Sequence, residues 1–533
     1  MLHSENRKSG KKGNCSLIAL FSSALLIMGC STDAIHKDRE ITMEAFSDMK
    51  TPDFVFNLDV IRQQLRQHVA ADSGRTAVAN TVRHYYKGNN TLLWVDRTGV
   101  DSKADTLLRW LHSMGELGMK ERAFQVDEIE RDMKRMRTLD FDERNTLSVI
   151  AARLEYNLTK AFTRYAAGQR FGFTDPYKLL NQLDAEKKDT ATGQVTKYRE
   201  LFDIPMERVS ANFYKALLRK IKNDSVDVCL NEVQPQGKYY QQMKEMLGKA
   251  TGEDRKRILC NMERGRWRLR NAIPEEGKRI VVNIPAFHLY AYGPDSLLDM
   301  KVVCGNAKTK TPQLTSNIEW MEVNPQWVIP MSIIETDVAK RAGDTAYFNR
   351  NRYHIFDRKT SKELPVTEVS QAMLLSGKYK VAQEGGAGNS LGRIIFRFKN
   401  NFSVFLHDTS NPGAFERSQR SMSHGCVRVA KPFNLCEFVL GDEADEWLLD
   451  RIRISMGLNP RTQQGISYLN EHAGDNLKEG HHKLVSYVPV KPSTPLYIIY
   501  YTLWTDENGT LRSWPDVYGY DKAMWEQLKY YMQ

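Results

Sequence analysis

In the last fifth of a 533-residue chain, the stretch Ser421-Met422-Ser423-His424-Gly425-Cys426-Val427-Arg428-Val429 sets a cysteine two residues after a histidine and two before an arginine. Three chemistries are open to Cys426: nucleophile, metal ligand or inert buried thiol. A free thiol with a pKa of about 8.5 is mostly protonated at neutral pH, so a nucleophilic cysteine needs a base or a positive charge beside it. His424, His407 and Arg428 are the candidates. On an extended strand His424 and Cys426 share a face, whereas in a turn they diverge. His407 ends the apolar run Phe402 to His407, and a strand end is where a rigid sheet presents a catalytic group to a cleft. Gly425, without a Cβ, lets the backbone turn tightly and lets amides approach an oxyanion. These are the parts of a Cys/His acyl-transfer site. A zinc site made of His407, His424 and Cys426 is the alternative, because imidazole and thiolate are good zinc ligands. Its H-x-C spacing is unusual for zinc, and the sequence offers no evident fourth ligand.

The elements that must position these residues follow from the periodicity. Near Gly277 the pattern turns to strands: Arg279 to Gly293 and Met300 to Gly305 are rich in Val, Ile, Tyr and Phe and read as a β-hairpin. Further strands are expected at Arg393 to Phe398, Phe402 to His407 and Leu496 to Thr505, with a hairpin turn at Asn508-Gly509. Ser332 to Thr367 is charged and aromatic and reads as an insertion or lid; Pro432 to Leu440 and Asp445 to Ile454 read as helices. Upstream, from Asp53 to Arg270, the pattern is mainly helical. Ser102 is expected to cap a helix carrying Leu107, Leu111 and Met114, and a longer helix is expected over Asp142 to Ala167 with Gly168 as its stop.

The residues around Cys426 resemble a known family. His407, followed nineteen residues on by the cysteine of Ser423-His424-Gly425-Cys426-Val427-Arg428, is similar to the H…[ST]HGC signature of the L,D-transpeptidases, or YkuD fold. The segments Gly305 to Thr315, Asn324 to Pro330, Asn389 to Arg393 and the tail YTLWTDENGTL look like the large multidomain periplasmic branch of that family. The resemblance implies an α+β multidomain chain, with a helical scaffold followed by a mainly β catalytic domain that carries an inserted cap. It implies Cys426 as nucleophile, His407 as the histidine that takes and returns its proton, and the backbone carbonyl of Asp408 as the group orienting His407. Amides of Gly425 and Cys426 would hold the oxyanion, Ser423 and His424 would shape the cleft, and Arg428 would receive a substrate carboxylate. The implied reaction is attack on a peptidoglycan stem between its third residue, a diamino acid, and D-alanine. The acyl-enzyme is then resolved by a second stem or, in L,D-carboxypeptidase activity, by water. No metal or organic cofactor is implied, and carbapenems are the implied inhibitors. The small peptidoglycan-binding module common in large members is not found between Tyr239 and Arg270. Attachment of a protein to peptidoglycan and a non-enzymatic cell-wall-binding lipoprotein are the competing functions. A papain-like or NlpC-type peptidase usually has its cysteine before its histidine, the reverse of the order here.

The first thirty residues resemble a bacterial lipoprotein signal. Lys8, Lys11 and Lys12 are basic, Leu17 to Met28 is apolar but short for a bilayer span, and Gly29 precedes Cys30, which would be lipidated. The expected organisation is a signal over 1–30, a tether over 31–52, the scaffold over 53–270 and the catalytic domain over 277–523. The cap is expected at about 332–380 and a tail at 524–533. The protein is then exported and anchored at a membrane facing the periplasm. A net charge of +11 suits an anionic partner, but the basic residues are spread along the chain and form no nucleic-acid module. After Cys15 and Cys30, five cysteines remain, and an odd count leaves a thiol unpaired in an exported protein.

Overall fold

The computed structural model describes residues 56–532 apart from 89, 191, 387, 442–443, 476–481 and 507. The expected signal, Cys30 and the tether lie outside the described residues.

Apolar stripes at helical spacing build the N-terminal half. Helix α1 (Ala77–Lys87) starts at Thr76, whose hydroxyl accepts from the Ala79 amide at 3.2 Å. Helix α2 (Lys103–Ser113) buries Ala104, Leu107 and Leu111. Its expected cap, Ser102, makes no capping bond, and the Asp101 carboxylate accepts from the Lys103 amide at 3.1 Å instead. Helix α3 (Leu147–Phe171) starts and ends later than the apolar spacing predicts. Thr146 caps it, because its hydroxyl accepts from the Val149 amide at 3.4 Å. Gly168 does not stop it: a Cβ there would run into the Phe173 ring, so this glycine serves close packing, and the helix ends at Gly172 with φ 92°. Helices α4 (Ala211–Lys222) and α5 (Gly252–Arg266) follow.

At Gly277 the chain enters a sheet. Strands β1 (Arg279–Asn283), β2 (His288–Tyr292) and β3 (Leu297–Gly305) form an antiparallel meander. The stretch 279–293 is therefore itself a hairpin, not one arm of a hairpin with 300–305. The turn between β1 and β2 holds Phe287 at φ 50°. Strands β4 (Gln313–Val323), β5 (Ile394–Phe398), β6 (Leu406–His407), β7 (Val427–Val429) and β8 (Tyr487–Ile499) continue it, and the short strands Phe202–Asp203 and Ser421–Ser423 pair with β4 and β3. The order is β5-β6-β7-β3-β2-β1-β8-β4, and β4 pairs back onto β5, so the sheet closes on itself. Only β6–β7 and β1–β8 are parallel among the pairs of β1 to β8.

Two strand expectations change in length for local reasons. Of Phe402 to His407 only the last two residues pair as strand, because the Asn400 side chain accepts from the amides of Phe402 and Val404 at 2.9 and 3.2 Å and holds a turn there. Strand β8 begins nine residues before Leu496, through Pro489, Pro492 and Pro495, and its register with β4 shifts between Pro489 and Thr494. Prolines usually demote a strand, and this one tolerates them at an irregularity. The expected Asn-Gly hairpin joins Leu503–Thr505 to Leu511–Ser513 as a separate unit.

The cap sits between β4 and β5. Strands Trp327–Val328, Tyr353–Asp357, Glu363–Leu364 and Tyr379–Gln383 form its own sheet. Ile329, Ile334, Phe348, Ile355 and Val381 make a core separate from the main one. Helices α6 (Pro432–Leu440) and α7 (Glu446–Ser455) follow β7. The residues expected as a tail instead continue helix α8 (Tyr520–Leu528) and return to the scaffold. There Tyr531 O accepts from the Lys120 amide at 2.7 Å and Met532, fully buried, bridges Met119. One apolar core runs through scaffold and sheet from Ile61 to Met532.

Candidate active site

Parallel pairing of β6 with β7 sets Leu406 against Val427 and His407 against Arg428. Leu406 and Val427 are buried in the core, so alternation turns His407, Arg428 and Cys426 to the opposite face. His407 is buried, Arg428 and Cys426 are half-buried, and His424 is exposed. Gly425, at φ 120°, turns the chain between His424 and Cys426. His424 has no hydrogen bond or ring contact among the described residues, whereas the His407 ring packs edge-on against Phe405 with centroids 5.7 Å apart.

The loop before Cys426 is held from three sides. Ser423 Oγ donates to the Cys426 carbonyl at 2.6 Å and accepts from the Gly425 amide at 3.1 Å. The Asn306 amide and the Thr309 hydroxyl donate to the Ser423 carbonyl at 3.0 and 2.9 Å. Thr311 Oγ1 donates to the Gly425 carbonyl at 2.8 Å, and Tyr518 Oη closes the cradle, accepting from the Thr311 amide at 3.1 Å and donating to the Gly305 carbonyl at 2.6 Å. A Cβ on Gly305 would meet the backbone of Thr309 and Thr311, so only glycine lets the two loops approach. The Gly425 amide is thus engaged by Ser423, and the Cys426 amide donates to no described residue.

Around His407, the backbone carbonyls of Leu391 and Asp408 favour its protonated form, but burial and the Arg428 charge outweigh them and lower its pKa to about 4. Nδ1 itself meets no partner at ordinary hydrogen-bond geometry among the described residues. The Asp408 carboxylate is turned to backbone: Oδ2 accepts from the Arg393 amide at 2.9 Å. Gly392, at φ 65°, has no room for a Cβ beside Asp408. Burial pushes the Cys426 thiol up to about 11, against the Phe405 amide and the Arg397 and Arg428 charges, which favour the thiolate. Both shifts favour a neutral thiol beside a neutral imidazole near pH 7, so the arrangement suits proton transfer during attack rather than a standing ion pair. Arg428 has no carboxylate partner among the described residues, and its Nε is buried without an acceptor. Among those residues no group of three or more His, Cys, Asp or Glu could hold a metal ion.

Residues 277–452 match the L,D-transpeptidase catalytic domain, YkuD, and residues 80–247 match a Scaffold domain. Over residues 277–452 the chain is thus similar to the YkuD L,D-transpeptidase catalytic domain. A Haemophilus influenzae protein named "Putative L,D-transpeptidase" is 29% identical over 269 residues, 49% of each chain. The chain thus spans about half the length of that curated relative.

Within the matched region, β6 and β7 bring His407, Cys426 and Arg428 to one face, and the turn at Gly425 leaves His424 outside it. Residues that sequence reasoning did not single out are Asn306, Thr309, Thr311 and Tyr518, which fix the cysteine loop, and Arg397, which lies over the Phe405 ring at 4.5 Å and forks to Glu322 at 3.0 and 3.1 Å. The stretch Gly305 to Thr315 carried part of the family resemblance, and its threonines were the available signal; Tyr518 had none. All five described cysteines are free, but Cys229, Cys260, Cys304 and Cys436 are buried. Iodoacetamide on the folded protein is expected to label Cys426 and none of those four by peptide mapping. Because the thiol pKa is raised, the rate is expected to climb about tenfold per pH unit from 7 to 9 without a plateau. A rate that bends over between about pH 8.5 and 9 would mean a thiol of ordinary acidity.

Proposed function

We propose that the protein is a peptidoglycan L,D-transpeptidase working through a cysteine acyl-enzyme. The observation that carries this reading is the half-buried Cys426 on the same sheet face as the neutral, buried His407, beside an Arg428 with no carboxylate of its own. Cys426 Sγ attacks the carbonyl between the stem's diamino acid and D-alanine as His407 takes the thiol proton. The Cys426 amide donates to the tetrahedral oxyanion, with Gly425 joining if its bond to Ser423 opens; one such donor is worth about 3 kcal/mol. His407 returns the proton to the leaving D-alanine amine, and the thioester remains. The side-chain amine of a second stem then attacks the thioester, giving up a proton to His407; the C–S bond breaks, His407 passes the proton to the departing Cys426 Sγ, and the crosslink joins two third positions. Water in its place gives a tripeptide. Arg428 takes a stem carboxylate through its guanidinium fork, and the Asp408 carbonyl orients His407.

Mass analysis of muropeptides after incubation with purified tetrapeptide stems tests this. The expected products are a dimer that has lost one D-alanine, with tripeptide alongside, and none with Cys426→Ala. Identical products from both proteins would end the assignment. The Gly29-Cys30 sequence after a short apolar run supports a lipid anchor and a periplasmic location; Cys30→Ala is expected to move the protein from the membrane fraction to the soluble one.

A further inference from the structure

We propose that a basic groove on the scaffold is a second docking site for peptidoglycan, taking the carboxylate-bearing stems of the polymer away from the reacting bond. The proposal rests on the peptidoglycan reading above, but it uses none of the residues around Cys426.

The groove has a volume of 660 Å³ and lies between the end of α1 with the loop after it, represented by Tyr85, Asn90, Thr91 and Leu93, and the outer side of α4. Helix α4 buries Tyr214, Leu217 and Ile221 and contains no acidic residue. Its exposed Lys215, Arg219 and Lys222 stand at i, i+4 and i+7 and all line the groove, over roughly 10 Å of helix. None of the three pairs with a carboxylate among the described residues, and no acidic side chain lines the groove. Lys220, which does not line it, is by contrast paired with Glu232 at 3.2 Å.

The opposite wall is fixed from beneath. Glu155 of α3, fully buried, accepts from the amides of Leu93, Trp94 and Val95, the last two at 2.8 and 3.2 Å, and from the Tyr86 hydroxyl at 2.7 Å. The Tyr85 hydroxyl donates to the Thr91 carbonyl at 2.9 Å and Asn90 Nδ2 to the Tyr85 carbonyl at 2.6 Å. A buried carboxylate that the catalytic reading leaves unused therefore anchors a wall that faces three uncompensated cations. The cations suit carboxylates, with the Arg219 fork suited to a bidentate contact, and the asparagine amides suit a peptide backbone. A concave groove of this size admits a peptide, whereas a flat lipid surface would meet only its rim. A polymer held here stays at high local concentration for Cys426, as in any two-site ligand.

The test uses the full chain with the double variant Lys215→Glu/Arg219→Glu and, as a control for charge alone, Lys188→Glu/Lys249→Glu. Two readouts are taken: co-sedimentation with purified sacculi and turnover of short soluble stems. The groove variant is expected to lose roughly five- to tenfold in sacculus binding, with turnover of soluble stems unchanged and the control like wild type. Wild-type sedimentation by the groove variant, or equal loss in the control, would overturn the proposal. Binding that follows anionic phospholipid vesicles and not sacculi would also overturn it, in favour of a membrane surface. Failure of the wild type to turn over soluble stems would instead strike the functional reading, and sacculus binding would still decide whether the groove holds polymer.

Discussion

Cys426→Ala is expected to reduce turnover of tetrapeptide stems by on the order of 10⁴- to 10⁶-fold, to the background of the uncatalysed reaction, because no other described thiol is accessible to take its place. The four other described thiols are buried in the core with raised pKa values. His407→Ala is expected to cost less, about 10²- to 10⁴-fold, the usual range for a general base. The two variants separate by the thiol itself: His407→Ala keeps Cys426 open to iodoacetamide, and Cys426→Ala gives no label there. His424→Ala is the informative contrast. It lies nearest to Cys426 in sequence but on the exposed side of the Gly425 turn, so turnover is expected to fall less than tenfold. A loss as deep as that of His407→Ala would reverse the two histidines' roles. The acid limb of kcat/KM carries the same logic. With its pKa lowered to about 4, His407 stays a neutral base down to that pH, so the rate is expected to hold from pH 8 to about 5 and to fall below. An inflection near 6.5 would indicate a solvated imidazole instead.

The largest stability effect is expected at the join of scaffold and sheet. Arg264 of α5 donates to Asp521 of α8 at 2.5 Å, with the Arg264 side chain buried and that of Asp521 largely so. Burial raises the Asp521 pKa even against the Arg264 charge, which marks how dry the pair is. The Thr502 hydroxyl also donates to Asp521, and Asn261 Nδ2 donates to Thr502 Oγ1 at 2.7 Å. Replacing one member of such a pair leaves the other charge without compensation. Asp521→Ala is therefore expected to cost about 3–5 kcal/mol, read as a lower urea midpoint at unchanged slope. A change below about 1 kcal/mol would mean that water reaches Arg264 and solvates it. The double replacement Arg264→Met/Asp521→Leu removes both charges and is expected to recover much of the loss.

Local pattern and motif made much of the site legible, and contacts distant in sequence account for the rest. His407 and Cys426 stood out by type, spacing and resemblance, and the strand containing His407 was expected because its apolar residues are contiguous. What fixes the cysteine loop was not legible: Tyr518 is more than ninety residues further on, and nothing local distinguishes a tyrosine that holds Gly305 and Thr311 from one in the core. Helix ends failed for a similar reason. Gly168 reads as a stop, yet the Phe173 ring packed over it makes glycine a steric need inside the helix. The prolines of β8 hid most of a strand that completes the sheet, and the return of α8 to Met119 depends on partners four hundred residues apart.

That return has a kinetic meaning. The closed sheet cannot form until β8 is available, and the scaffold core lacks Met532 and the Tyr531 contacts until the chain through α8 has been supplied. Such long-range closure folds slowly, so the fold stays unfinished until β8 and α8 have been made. The return also warns that an affinity tag fused directly after Met532 would press on the last piece the core is waiting for.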